Sequence, residues 1–407
     1  MITKHLIFKI LLFVTLVVYS CKSEIGNYDI VIKGGHVIDS KNNIDELMDI
    51  AVKDGKIARV AKEIDTAGVA QVVDAAGMYV TPGLIDMHVH VFHGPNSNQE
   101  YMNGPWSVPP DGFTFRSGVT TVVDAGSPGW RTFNEFKEKI IDDSQTRVLA
   151  FLNIVGEGMR GNPFEQNIKD MDVSRTAECA IQNSQYIVGI KLAHFSTHDW
   201  TPILRSTEAG TIANIPFMID HGPAPLDSLL LHYLRSGDIY THCYTRNTGQ
   251  FIPVMEAARE RGIIFDLGHG GGSFGFENAI PLTQAGFFPD AISTDLHITS
   301  MNGAMKNQLT CMDKLLALGM DLKSVINAST WKPAQIIKRT ELGHLTVGTE
   351  ADIAILSIRT GKFGLFDTRG AKMETDKKLE CEMTIRAGRI VYDLNGIATP
   401  IRAPRRR

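Results

Sequence analysis

Between about residues 81 and 340 the chain alternates short apolar runs of strand character with helical stretches, and this alternation limits the fold more than any other feature. The apolar runs centre on Ile85, Val122, Leu152, Ile190, Met218, Thr241, Phe265 and Ser293. Most are followed by a loop rich in Gly, Pro, Asp or His, such as Ala125-Gly126-Ser127-Pro128-Gly129 or Gly268-His269-Gly270-Gly271-Gly272-Ser273. Strands alternating with helices make a parallel sheet wrapped by helices. Eight such units are enough to close it into an α/β, (β/α)₈ TIM-type barrel, where chemistry collects at the C-terminal ends of the strands. The 407 residues fit one barrel plus a smaller unit.

That smaller unit draws on both chain ends. Asp29-Ile30-Val31-Ile32-Lys33, Asp49-Ile50-Ala51-Val52, Ile57-Ala58-Arg59-Val60 and Gln71-Val72-Val73-Asp74 all have strand character. The Lys53-Asp54-Gly55-Lys56 segment between two of them is a strong hairpin signal. Ala351–Leu356, Met383–Arg386 and Arg389–Tyr392 repeat this character at the far end. We expect a small β-sandwich domain from residues 28–80 and 341–395, flanking a barrel at 81–340.

The first residues differ in kind. Lys4 and Lys9 form a basic start, Ile10 to Val18 is almost wholly apolar, and Ser20 precedes Cys21. That is the pattern of a secretory signal, too short to span a bilayer comfortably. Val18-Tyr19-Ser20-Cys21 resembles a bacterial lipobox, so residues 1–21 are expected to be a signal peptide whose Cys21 becomes a lipid-bearing N-terminus. The polar residues after it read as a tether, and the mature chain as anchored in the cell envelope, facing the periplasm or the cell exterior. A formal net charge of -4 argues against nucleic-acid binding, and the terminal Arg405-Arg406-Arg407 is read as a solvated tail. Cys179, Cys243, Cys311 and Cys381 are widely spaced, with no CxxC pair, so no zinc ribbon, redox motif or disulfide is expected.

The sharpest chemical signal is Gly83-Leu84-Ile85-Asp86-Met87-His88-Val89-His90. Residues two apart on a strand share a face, so His88 and His90 can reach one point. Imidazole is the commonest side-chain metal ligand, although two satisfied histidines at a strand end would give the same spacing. The later runs change the balance. Lys191 sits in the apolar Val188–Leu192, where a lysine must be paired or neutral. His242 ends Ile239-Tyr240-Thr241-His242, and Asp295 lies in Ile292-Ser293-Thr294-Asp295-Leu296-His297. If the barrel forms, these side chains converge.

Taken together, these segments resemble the amidohydrolase superfamily, and within it the amidohydrolase/deacetylase group of metallo-hydrolases. The resemblance runs from about residue 28 to 395 and includes Thr81–His90, Gly118–Ser127, Ile292–His297 and Gly348–Asp352. It implies that His88 and His90 bind one divalent metal, zinc in the first instance, and that Lys191 is carboxylated by CO₂ and bridges two metals. It further implies that His242 binds the second metal and that Asp295 binds a metal and handles protons. One departure stands out. The family places a histidine at the end of the fifth strand, where Pro216-Phe217-Met218-Ile219-Asp220-His221-Gly222 puts Asp220, with His221 one residue late. Asp220 is our choice of ligand and His221 the fallback, and one or two metals per chain remain open. His269 and His297 are read as substrate or supporting contacts or as solvent-exposed loop histidines, and the loop from Phe92 to Phe113, with Tyr101 and Trp106, as a cover over the pocket or as packing.

The implied reaction is hydrolysis of an amide, with an N-acyl amino acid or related carboxylate as substrate and Asp295 as base and then acid. Alternatives are a dihydroorotase-like hydrolase of cyclic amides and a lipid-anchored binding protein that keeps the barrel without catalysis. The expected partners are a small-molecule substrate and, through Cys21, a membrane, and a homo-oligomer is left open.

Overall fold

Strand-forming runs from the chain ends and from the middle pair into two separate sheets. The computed structural model describes residues 27–98, 100–220, 225–245 and 251–399. The signal segment with Cys21, the fallback ligand His221 and the arginine tail lie outside these residues.

The first sheet takes β1 (Ile30–Asp39), β2 (Ile44–Lys53), β3 (Lys56–Ala61), β4 (Gln71–Asp74) and β5 (Tyr79–Pro82) from the N-terminal side. Far along the chain, β13 (Ile353–Phe366), β14 (Lys372–Arg386) and β15 (Arg389–Asp393) join it through antiparallel pairing of β13 with β5. The expected hairpin forms between β2 and β3, with Asp54 and Gly55 at φ 48° and 75°. A two-residue hairpin whose central residues both have positive φ matches the twist of its flanking strands. One apolar cluster, including Ile32, Ile50, Val80, Ile355 and Met383, packs on one face of this sheet, and a smaller one of Val31, Ala51 and Ile64 on the other.

The second sheet runs, in chain order, through β6 (Leu84–Val89), β7 (Val119–Gly129), β8 (Arg147–Asn153), β9 (Ile187–Leu192), β10 (Phe217–Ile219), β11 (Ile239–Tyr240) and β12 (Ile264–Phe265), all parallel. Residues 291–296 complete the ring. Ala291 bridges Asp266 on one edge, and Leu296 bridges Val89 on the other. Every residue of β6, β7 and β9 is buried, as parallel strands covered on both faces require. Ile85, Met87, Val123, Phe151, Val188 and Met218 fill the ring's interior, while larger apolar residues pack outward against the helices. Among those helices, Val173–Gln182, Gln308–Ala317 and Leu322–Asn327 start with Asp172, Asn307 and Asp321, whose side chains each accept from the amide three residues on.

The two sheets are not insulated from each other. The far end of the β13–β14 hairpin lays Leu365 and Leu379 into the barrel's outer core, and the Leu379 amide donates to Asp313 at 2.8 Å. Cys179, Cys243, Cys311 and Cys381 are free, and no described helix is long and apolar enough to cross a membrane.

Candidate metal centre

Strict alternation along β6 would aim its histidines the wrong way. Ile85 and Met87 face the ring's interior, so unbroken alternation would carry Val89 inward as well. The pairing register with β7 slips between Asp86 and Val89, Val89 joins the outer core, and His88 and His90 turn toward the C-terminal mouth. Irregularities of this kind commonly re-aim side chains beside sites.

Both rings are locked from behind. Thr241 Oγ1 donates to Asp266 Oδ2 at 2.6 Å, so it accepts from His88 Nδ1 at 3.0 Å. His90 Nδ1 bonds Ser127 Oγ at 3.1 Å, and the Ser127 amide donates to Asp124 Oδ1 at 2.7 Å. His242 Nδ1 donates to the Gly268 carbonyl. With the Nδ1 positions engaged, the Nε2 atoms face the site. His90 Nε2 and His88 Nε2 lie 3.1 and 3.6 Å from Asp295 Oδ1, and His242 Nε2 lies 3.7 Å from Asp220 Oδ1. Burial, and then the Lys191 charge, depress His88 to a pKa of about 4, which leaves it neutral and able to ligate.

The carboxylates stay ionised for a different reason. Burial works to raise Asp295, but the neighbouring His88, His90 and His297 hold it well below the usual carboxylate range. Burial also opposes the Asp220 charge, and the Lys191 ammonium in direct contact with it outweighs that, again holding it far below normal. Lys191 itself is fully buried.

All six ligands read from the sequence therefore come together: His88, His90, Lys191, Asp220, His242 and Asp295. Donor atoms of five of them fall into two adjoining groups, His88–His90–Asp295 and His88–Asp220–His242, each within 4.8 Å, sharing His88, and Lys191 contacts Asp220 of the second. The first group offers two imidazole nitrogens and one carboxylate free to take a cation. The second fits a cation less simply, because the Lys191 ammonium already occupies Asp220.

His297 lies nearby, with Nε2 3.9 Å from Asp295 Oδ2. His269 is not a site contact. It is buried, stacks on Phe274 and shares a 2.6 Å hydrogen bond with Lys314 Nζ, and burial with that neighbouring charge lowers its pKa to about 3. The 92–113 loop does cover the centre: Tyr101 places its ring 4.5 Å from His90 and 5.5 Å from His297. Sequence reasoning missed Asp266, Thr241, Ser127 and Asp124, which hold the ligands from behind. Thr241 adjoins His242 in the chain, whereas Asp124, Ser127 and Asp266 lie far from any ligand position and only the fold brings them behind it.

Backbone conformation supports the arrangement. His242 and Asp295 take φ of 59° and 51°, where the chain turns off its strand. Non-glycine residues held there cost about 1–3 kcal/mol each and cluster at functional sites. Gly126, at φ 93°, makes room for Lys191, because a Cβ there would fall 2.5 Å from the lysine Cγ. Gly126→Ala is expected to cost about 3 kcal/mol of stability through overpacking and strain, read as a lower urea midpoint. An unchanged midpoint would show that Lys191 can move aside.

Comparison with known proteins finds relatives over most of the chain. The sequence model of the amidohydrolase family matches residues 240–391. A deacetylase of Brucella anthropi is 36% identical over 342 residues, covering 80% of this chain and 83% of its own length. The crystal structure of a dihydroorotase superposes with a TM-score of 0.80 at 30% identity, covering 89% of this chain and 99% of that one. That of an adenine deaminase gives the same score at 28% identity, covering 90% and 100%.

Proposed function

This chain belongs to the amidohydrolase superfamily and is a metal-dependent hydrolase of carbon–nitrogen bonds, and on that premise we propose that it removes the acyl group from N-acylated amino acids or related carboxylates. The observation that carries the reading is the convergence of His88 and His90 Nε2 on Asp295, with both Nδ1 atoms tied down behind them. The likeness to a protein named as a deacetylase supports the choice of bond.

We assign the ion as zinc, which suits imidazole nitrogen and carboxylate oxygen. His88, His90 and Asp295 would hold one ion, and His242 and Asp220, with a Lys191 carboxylated by CO₂, would hold a second. When bound, the metal supplies Lewis acidity, acidifying water and polarising the amide carbonyl. Asp295 accepts the proton of the attacking water and returns it to the leaving nitrogen. Tyr101, against His90 and His297, narrows the mouth and limits stray water. The His88–His90–Asp295 group, which does not involve Asp220, supports the catalytic reading over a non-catalytic binding protein.

Our reading also places lipid attachment at Cys21 in the cell envelope, with the small β domain at 28–80 and 341–395 and the barrel at 81–340.

The test uses protein lacking residues 1–21, loaded with zinc and supplied with a panel of N-acetyl amino acids. Release of acetate is the expected result. Turnover of dihydroorotate with no acid released from any N-acetyl amino acid would favour the cyclic-amide reading, to which the dihydroorotase likeness gives weight. Within this scheme Asp266→Ala, which removes the support behind Thr241 and His88, is expected to weaken zinc affinity about 10–100-fold, measured by chelator competition. Unchanged affinity would mean that His88 needs no such support.

A further inference from the structure

The reaction scheme gives no role to His194 at the mouth. His194 follows β9 and takes φ 55°, so its backbone is strained, and two neighbouring side chains hold it there. Gln166 Nε2 donates to the His194 carbonyl at 2.8 Å, and Gln166 Oε1 accepts from the Ser196 amide and hydroxyl at 3.0 and 2.9 Å. Glu165 Oε2 accepts from His194 Nδ1 at 2.8 Å. Glu165 is itself only 3% exposed, and its other oxygen takes the Gly161 amide.

A buried carboxylate needs a charged or hydrogen-bonding partner, and here the imidazole is that partner. Enclosure opposes the ring's charge, but the hydrogen bond and charge of Glu165 raise its pKa to about 9. Asp220 adds to this and Lys191 subtracts from it. The side chain nevertheless keeps 48% of its surface exposed. Its ring lies 6.0 Å from Tyr101, the residue that also touches His90 and His297. Nδ1 is spent on Glu165, and among the described residues Nε2 has no protein partner. Lys191, a second cation near the site, is fully buried and in contact with Asp220.

We propose that His194, clamped by Glu165 and Gln166 across Tyr101 from the metal centre, is the specificity-determining residue that receives the free carboxylate of the substrate. This rests on the reading of the substrate as an N-acylated carboxylate. It assigns the two ends of that molecule to different walls of the mouth: the acyl group to the ligand cluster and the anionic end to the imidazolium Nε2–H.

The experiment measures calorimetric binding to the zinc-loaded enzyme. The probes are a panel of N-methanesulfonyl amino acids, which carry the carboxylate but no hydrolysable amide, and their neutral carboxamides. Wild type should bind the acid form roughly tenfold tighter than the amide, the worth of one hydrogen bond to a charged group. His194→Asn, which tolerates the positive φ, should erase that preference while leaving carboxamide affinity unchanged. Glu165→Gln should keep the preference at pH 6 and lose most of it at pH 8, a split that a merely structural role would not produce. An acid form bound no tighter than the amide by wild type, or a preference that survives in His194→Asn, overturns the proposal. If no N-acetyl amino acid is turned over but the preference still vanishes with His194, the deacetylase reading fails and the role of His194 stands.

Discussion

Asp295→Asn is expected to lower kcat/KM by roughly four powers of ten, the upper end of what a positioned acid–base group contributes. The size of the effect follows from the position. Asp295 Oδ1 is within 3.1 Å of His90 Nε2 and 3.6 Å of His88 Nε2, so in the proposed scheme one carboxylate would serve both the ligand cluster and the reacting water. The amide of asparagine keeps the shape but can neither take a proton nor carry the charge that three histidines now stabilise. Elemental analysis of the same samples separates the two duties. A loss of activity with zinc retained assigns the proton transfer to Asp295, and a variant within tenfold of wild type at full zinc content moves that duty elsewhere.

The second large effect concerns how many ions the centre takes. The Lys191 ammonium contacts Asp220, a residue that a second cation would need. Carboxylation turns that positive group into an anionic bridge, so CO₂ and the second metal should load together. Reconstitution in CO₂-free buffer should give about one zinc per chain and reconstitution with bicarbonate about two, because ligands must shed their protons before a metal can bind. Lys191→Ala should abolish the dependence on bicarbonate. Equal loading with and without bicarbonate in wild type would rule out the carboxylated bridge and leave Lys191 as a permanent ion-pair partner. Asp220→Ala should then cost about 3–5 kcal/mol of stability in the metal-free protein, because it strands a fully buried ammonium.

Much of the ligand set was legible because each member breaks a local rule. Lys191 inside an apolar strand, paired histidines ending another and an aspartate beside Ser293 and Thr294 are all costly unless something compensates them. Loop positions were harder to judge. His269 and His194 look alike as single histidines after a strand, yet one stacks on Phe274 against Lys314 while the other stands half-exposed on Glu165. Nothing near either histidine in the chain foretells Lys314 or Glu165, which lie 45 and 29 residues away.

The sequence alone determined the alternation that makes the ring, the Asp54-Gly55 hairpin and the residue types able to ligate. These depend on local periodicity, on backbone preference and on side-chain chemistry, all of which act over a few residues. Only the tertiary structure decided where the side chains point. The register slip between Asp86 and Val89 turns His88 and His90 toward the mouth, and positive φ at His242 and Asp295 accompanies their convergence on the same centre. Those conformations are unfavourable in isolation. They persist because strand pairing and the hydrogen bonds of Asp266, Ser127 and Gly268, each contributed by a distant part of the chain, hold them in place.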